Sequence, residues 1–409
     1  MKKIKIIILG GGFGGVYTAK RLSKLFKNNA EITLINKNNY FIFTPLLHEV
    51  ATGSLNHKSI TESLPEIFRN TDVNFIEDTV SEIDKENKLI KLSNNSLNNN
   101  SLNYDYLVIS TGAETNYFGI NGAKENTYAL KNIDDALNLK MRIISAFEQA
   151  ESTKNKDLLS FAVVGAGATG IELATELYEY THHILHSYYK NSIFTADDIK
   201  ISIITTTAEI IPQFPTKMRS IALEALRKMG IEVKFNTIVK EVQPNILTFN
   251  NGETLKANTI VWVAGVKSSL SNIKGIEADP KGRLEINEYL QSTKNTEIFG
   301  LGDASGNYPM LAQIAVEQAN TVARNIYLIT NNKSTELIKY STKIKGLLLS
   351  LGHWSAIGNF GKITLHGAFM WWLWRTIYLF NFNSWKKRFE IMIEWTINIF
   401  YPRDIINLK

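Results

Sequence analysis

A short apolar run that breaks into glycines and resumes as a helix occurs twice in this chain, and it constrains the fold more than any other feature of the sequence. At the amino terminus Ile4, Ile6, Ile7, Ile8 and Leu9 lead straight into Gly10-Gly11-Gly12-Phe13-Gly14-Gly15. A β-branched apolar run this short predicts a buried parallel strand, and residues 16–26, with Ala19, Leu22, Leu25 and Phe26 on one face, predict a helix after it. Gly10, Gly12 and Gly15 are spaced G-x-G-x-x-G. In that order the glycines serve in turn for a tight turn, for backbone approach to a pyrophosphate, and for close helix-to-strand packing. The helix N-terminus then points at the phosphates. The pattern repeats at Phe161-Ala162-Val163-Val164 followed by Gly165, Gly167 and Gly170 and a helix predicted over 171–189. Two complete fingerprints imply two dinucleotides, and the economical reason to bind two is to pass a hydride between them.

After the second strand of such a unit an acid commonly binds the ribose 2′-OH. Asn36 stands at that place in the first repeat and Thr205, followed by Thr206 and Thr207, in the second. No arginine lies beside the threonines to hold a 2′-phosphate, so the choice between NADH and NADPH stays open. Residues 73–92 predict strands, and the Asn/Ser/Leu run 94–103 the polar tip of a β-hairpin. Residues 41–53 read as a Pro-started helix ended by Gly53. Further helices are expected over 133–151 and 216–229, three strands within 231–262, and a helix from Pro309 to about Ile329. Between them Tyr104 to Ala113 predicts a buried strand ending in a small-residue turn, and Thr296 to Ala304 a strand that delivers Asp303 to a turn.

Cysteine is absent altogether. This excludes a disulfide relay, a thiolate nucleophile, iron–sulfur ligation and a cysteine metal site. The formal net charge of +6 suggests nucleic-acid binding until its distribution is counted. Residues 341–409 hold nine Lys and Arg against three acids, which accounts for all of it, and six of the seven tryptophans lie there too. Basic residues interleaved with indoles suit an anionic membrane surface, where each Lys or Arg contributes about 1 kcal/mol. Nucleic acid is therefore not an expected partner. Within the tail, 364–382 is apolar enough to suggest a spanning helix, but His366 and Arg375 interrupt it. From 385 onward Phe389, Met392, Ile393, Ile397 and Phe400 follow helical spacing, which predicts a helix lying in the interface. A homodimer is a further possibility.

With these residues in view, the chain resembles the two-dinucleotide-binding flavoproteins and, within them, the type II NADH dehydrogenases, single-subunit NADH:quinone oxidoreductases that pump no protons. The resemblance spans nearly the whole chain. It rests on G-G-G-F-G-G at 10–15, T-P-L-L-H-E-V-A-T-G at 44–53, G-A-G-A-T-G-I-E-L-A at 165–174, V-W-V-A-G-V at 261–266, G-D-A at 302–304, A-Q-I-A-V-E-Q at 312–318 and the aromatic tail. It implies non-covalent FAD held by Gly10, Gly12, Phe13, Gly14, Gly15, Asn36, Lys37, Thr111, Gly112 and Asp303. Thr44, Pro45 and Leu46 would lie near the isoalloxazine ring, with Ala312 and Gln313 at its other end. NAD(P)H would meet Gly165, Gly167, Thr169, Gly170, Glu172, Thr205 and Gly265. Glu172, Gln313 and Glu317 would form the catalytic set, Glu172 close to the nicotinamide and the quinone, the other two lining the quinone pocket. Asn36 and Thr205 replace acids of the family, and Glu317 replaces a glutamine.

The implied fold is α/β, with two Rossmann-like doubly wound nucleotide-binding domains and a C-terminal amphipathic membrane-binding unit. The FAD domain is expected at 1–115 with 285–340, the NAD(P)H domain at 116–284, and membrane-associated helices at 341–409. Lys2 and Lys3 run at once into the first strand, without the apolar stretch of a signal peptide. A peripheral position on the cytoplasmic face of the cell membrane is expected. Plainer readings compete at three places. Glu172 could stabilise a helix dipole in the first turn, Glu317 could be a solvated helix residue, and His182, His183 and His186 fit a surface helix better than a metal site. A soluble reductase of a ferredoxin or rubredoxin shares the core but has no use for the tail. A slow redox sensor would be separated by its turnover.

Overall fold

A computed structural model of the chain describes residues 3–94, 100–189, 194–306, 308–403 and 405–406. The chain divides into two compact units, one of Met1–Ile42, Thr61–Glu114 and Val266–Ile344, the other of Phe43–Ile60, Thr115–Gly265 and Lys345–Lys409. The domain boundaries expected from sequence differ from these units in three ways: Phe43–Ile60 sits with the second unit, residues 266–284 with the first, and the tail is not a body of its own.

In the first unit five parallel strands lie in the order Ile298–Gly300, Tyr106–Ile109, Ile4–Leu9, Ala30–Asn36, Val73–Glu77. In chain order this is 5-4-1-2-3, the doubly wound arrangement in which strand order reverses beside the first strand. The strand Ile4–Leu9 is apolar because it is covered on both faces. One face meets a three-stranded antiparallel layer, Val80–Asp84, Leu89–Leu92 and Ser101–Asn103, through Ile7 and Leu9 against Val80, Ile83, Ile90 and Leu92. The helix Phe13–Phe26 buries Val16, Ala19, Leu22 and Phe26 and packs against the helix Ala312–Thr330, with the Phe26 and Tyr327 rings edge-on at 5.3 Å. The tip of the expected hairpin, 95–99, lies outside the described residues, but the strands on either side of it pair antiparallel.

The second unit repeats the plan. Its parallel sheet runs Tyr128–Ala129, Thr259–Trp262, Ser160–Val164, Lys200–Ile204, Glu232–Lys234. An antiparallel layer again covers one face, with Val242, Leu247 and Phe249 packed on Ala162, Ile260 and Trp262. Residues 231–262 thus hold five strands rather than the expected three, because left-handed turns at Asn245 (φ 63°) and Gly252 (φ 87°) divide what alternation alone reads as continuous. The helix after the second glycine turn is not uniform either. Ala168–Tyr178 is α-helical and Glu179–Leu185 opens into a π-helical turn. There the Thr181 hydroxyl donates to the Leu177 carbonyl at 2.8 Å, competing with the backbone ladder, and the His182 ring stacks on Tyr178 at 4.1 Å.

The tail departs most from expectation. Instead of helices throughout, it begins with an antiparallel sheet of Leu347–Ser350, Ala356–Phe360 and Ile363–Gly367, turned tightly at Gly361 (φ 71°). The stretch 364–382 therefore starts as strand. Its helix, Ala368–Phe380, has 13 residues, about 20 Å of rise against the roughly 30 Å of a bilayer core. Among the described residues no helix is long and apolar enough to cross a membrane. The helix Trp385–Phe400 forms as the spacing predicts.

Candidate functional site

Each unit carries the same dinucleotide cradle at the point where its strand order reverses. In the first, a Cβ on Gly10 (φ 103°) would stand 2.3 Å from the Ser110 carbonyl oxygen at the end of the neighbouring strand, and one on Gly15 1.8 Å from the Gly10 carbonyl oxygen. In the second, a Cβ on Gly165 (φ 117°) would meet the Ala264 nitrogen at 2.8 Å, and one on Gly170 the Gly165 carbonyl oxygen at 1.8 Å. Gly12 and Gly167, by contrast, face open space. These two are the N-caps of their helices, neither helix has a side-chain cap, and neither has an acid in its first turn. The helix Ile133–Thr153, which follows no glycine turn, is closed by a reciprocal box between Asn132 and Asp135. Uncapped helix N-termini behind open glycines are what a pyrophosphate needs.

The first cradle fits FAD further. Thr111 Oγ1 is shut off from solvent with no hydrogen-bond partner among the described residues, and Gly112 (φ 70°) faces open space. Asp303 lies half-buried in a short turn, Gly302–Ala304, pinned by Gln318 Oε1 accepting from the Gly302 N–H at 2.7 Å. Gln318 was not singled out in the sequence. The helix Ala312–Thr330 that carries it also has no side-chain cap at its N-cap Leu311, and its dipole favours negative charge at that end. Gln313 and Glu317 are both half-buried, Phe13 sits edge-on to Phe41 at 5.0 Å, and Lys37 is exposed. Asn36 does not simply point outward. Its Oδ1 accepts from the Gly11 N–H at 2.8 Å and its Nδ2 donates to the Asn38 carbonyl at 2.7 Å, so it braces the glycine turn itself.

In the second cradle Thr169 is exposed, whereas Thr205 is buried, with its hydroxyl 2.8 Å from that of Thr207. Glu172 is in the second turn of its helix, beyond the reach of the dipole that would explain it as a helix cap. It is buried, and its Oε1 accepts from the Ser350 N–H of the tail sheet at 3.1 Å. Burial raises its pKa from 4.5 to about 7, reinforced by Glu49 and Glu176 and opposed by His48.

Around Glu172 lies a set of buried charges that the sequence did not announce. Glu176, one turn on, pairs with Arg403 at 2.7 Å, their side chains 4% and 7% exposed. Burial works against the Glu176 carboxylate, but the Arg403 charge prevails and holds its pKa below the usual value. Burial also raises Glu179 to about 7. Glu49 Oε2 accepts from Trp395 Nε1 at 2.7 Å and from the Ser54 hydroxyl at 3.1 Å. Arg375, expected as a charge interrupting an apolar face, is buried instead, its guanidinium 3.6 Å from the Trp371 ring and 4.7 Å from that of Trp395. Thr44, Pro45 and Leu46 form a short 3₁₀ turn closed by Phe43, whose ring stacks on Phe382 at 4.4 Å. Trp372, Trp385, Phe389 and Phe400 remain exposed on the tail. Among the described residues no group of His, Asp or Glu could hold a metal ion, His182 and His183 of the π-turn and His186 just after it included.

Comparison with known proteins converges with this geometry. The model of the pyridine nucleotide-disulphide oxidoreductase family matches residues 4–319, and that of the NDH2 C-terminal domain matches residues 344–404. A type II NADH:quinone oxidoreductase of Staphylococcus aureus is 31% identical over 373 residues, 88% of this chain and 90% of that one. The chain belongs to the type II NADH dehydrogenases. A probable NADH dehydrogenase of Dictyostelium discoideum is 30% identical over 98% of this chain and 90% of its own length. Among solved structures, NDH2 from Plasmodium falciparum in complex with NADH shares the fold at a TM-score of 0.89, 24% identity, and 99% and 100% coverage. The sulfide:quinone oxidoreductase of Aquifex aeolicus does so at 0.75, 20% identity, and 99% and 96% coverage. As in other type II NADH dehydrogenases, the flavin is FAD and the activity is NADH oxidation with a quinone as acceptor.

Proposed function

We propose that the first unit holds FAD through Gly10, Gly12, Phe13, Gly14, Gly15, Asn36, Lys37, Thr111, Gly112 and Asp303, with Thr44, Pro45, Leu46, Ala312 and Gln313 about the ring. The second unit holds NADH through Gly165, Gly167, Thr169, Gly170, Glu172, Thr205 and Gly265. The repeated cradle, one copy to each dinucleotide, carries this reading. FAD supplies the hydride acceptor and the two-electron store. The chain's own part is positioning: two helix N-termini fix the pyrophosphates, and the dipole of the helix that starts at Ala312 favours developing negative charge. Glu172, with a pKa of about 7, is poised to hold or give up a proton near neutral pH. Gln313 and Glu317 line the approach of a membrane quinone. The uncharged Thr205 admits NADPH as well as NADH.

The protein works as a peripheral membrane enzyme. Its exposed aromatic and basic tail meets an anionic lipid surface on the cytoplasmic face, and a homodimer is compatible with this placement. Rapid mixing tests the assignment. In Gln313→Ala, anaerobic bleaching of the flavin by NADH should stay within a few fold of the parent while reoxidation by a short-chain quinone slows. Blocked bleaching with normal reoxidation would place the quinone elsewhere.

A further inference from the structure

The two cradles correspond at Gly12 and Gly167, both open, and at Gly15 and Gly170, both 1.8 Å from the carbonyl oxygen of their turn's first glycine, but they differ at the glycine across the cradle. Gly112 and Gly265 are counterparts, each the left-handed glycine (φ 70° and 74°) that ends the turn after the strand beside the first. Gly112 faces open space, whereas a Cβ on Gly265 would run into the ring of Phe118, 2.4 Å from Cζ. Phe118 is itself unusual: a large apolar side chain 62% exposed, on backbone at φ 52° that non-glycine residues rarely adopt. Its position is built. Asn116 Oδ1 accepts from the Phe118 N–H at 2.9 Å, Asn116 N–H donates to the Gly265 carbonyl at 3.3 Å, and Trp262 Nε1 donates to the Asn116 carbonyl at 2.9 Å. Three hydrogen bonds thus hold a strained turn so that an aromatic ring stands over bare backbone at the mouth of a nucleotide cradle.

The topology says which end of the dinucleotide arrives there. With the pyrophosphate at Gly167, the adenosine ribose lies toward Thr205, after the strand on one side of Ser160–Val164. The other half must extend to the opposite side, over the strand Thr259–Trp262 and its turn at Gly265. We infer that Phe118 is a substrate-binding residue whose ring walls the nicotinamide half of the NADH site. This rests on reading the second unit as the NADH unit. A flat aromatic face suits an uncharged dihydronicotinamide, and removing such a stacking partner lowers affinity by about tenfold.

The test uses the FAD-loaded protein and calorimetric titration with two ligands, redox-inert tetrahydro-NADH and ADP-ribose, which lacks the nicotinamide. Phe118→Ala should weaken tetrahydro-NADH about tenfold and leave ADP-ribose within about twofold. Phe118→Tyr should restore the parent affinity. The KM for NADH should rise in Phe118→Ala while flavin reoxidation by quinone is unchanged. Equal losses for both ligands, or none for either, would overturn the inference. Phe118→Leu serves as a second variant if the alanine protein loses its flavin. Failure of the parent protein to bind either ligand would instead overturn the assignment of the second unit to NADH.

Discussion

Replacing Glu172 by Gln should stabilise the protein, and by an amount that depends on pH. The folded carboxyl keeps its proton to about pH 7 because burial penalises the anion, whereas an exposed carboxyl releases it near 4.5. At about 1.4 kcal/mol per tenfold change in protonation, that interval corresponds to about 3 kcal/mol. The sign follows from the raised value. Well below pH 4.5 both states are protonated and the group contributes nothing. Between 4.5 and 7 the unfolded chain loses the proton first, so stability falls as pH rises, and above 7 the full cost is present. The amide introduced by Glu172→Gln is neutral throughout and retains an oxygen for the Ser350 N–H. The variant's advantage in urea unfolding of the FAD-loaded protein should therefore grow from about 1 kcal/mol at pH 5 to about 3 kcal/mol at pH 8. Glu179, shifted to about 7 as well, titrates in both proteins and cancels in the difference. An advantage independent of pH, or a variant less stable than the parent at pH 8, would refute the argument.

Arg403→Met should destabilise by about 3–5 kcal/mol, since it strands the buried Glu176 anion, and Glu176→Gln in the same chain should recover most of it in parallel denaturation curves. Gly12→Ala should fold, because its Cβ enters open space, yet bind FAD weakly by flavin absorbance, whereas Gly15→Ala, 1.8 Å from a carbonyl oxygen, should yield little folded protein. Phe389→Glu with Phe400→Glu should abolish cosedimentation with anionic vesicles without moving the unfolding midpoint, as both rings are exposed. Vesicle affinity should fall with salt, but less steeply than nine basic residues suggest, because Arg375 and Arg403 are buried among acids and indoles.

The glycine turns were legible because their constraint is local: strand, turn and helix are contiguous, and the backbone approach at Gly10 or Gly165 allows only one residue type. Glu172 could be singled out from its place after the glycine turn, but its raised pKa could not, because the cause is burial, beneath a tail sheet almost two hundred residues away whose Ser350 N–H it accepts from. The Glu176–Arg403 pair joins positions more than two hundred residues apart, so no periodicity could reveal it. A signal did exist. Glu176 stands in a helix that also reads Ile171, Leu173, Ala174 and Leu177, and an acid kept ionised on such a buried helix requires a cation beside it. Arg375 carries the same message, although in an apolar helix it reads first as a break in a lipid-facing surface. The five short strands within 231–262 escape a reading by alternation because left-handed residues at Asn236, Asn245 and Gly252, not a change of pattern, mark three of the four breaks between them.

The helix Trp385–Phe400 has two sides with different obligations. Its outer side offers Phe389 and Phe400, while its inner side is stitched to the segment Phe43–Ile60: Glu394 accepts from the Asn56 N–H and the Ser59 hydroxyl, Trp395 donates to Glu49, and Asn398 donates to the Ser54 carbonyl. A soluble enzyme therefore cannot be obtained by clipping the tail. Truncation would uncover Glu49, Glu176 and the Phe43 face beside Thr44, Pro45 and Leu46, unseating the residues assigned to the flavin ring along with the anchor. On that helix, detachment from the membrane and survival of the fold can be separated only on the outer side.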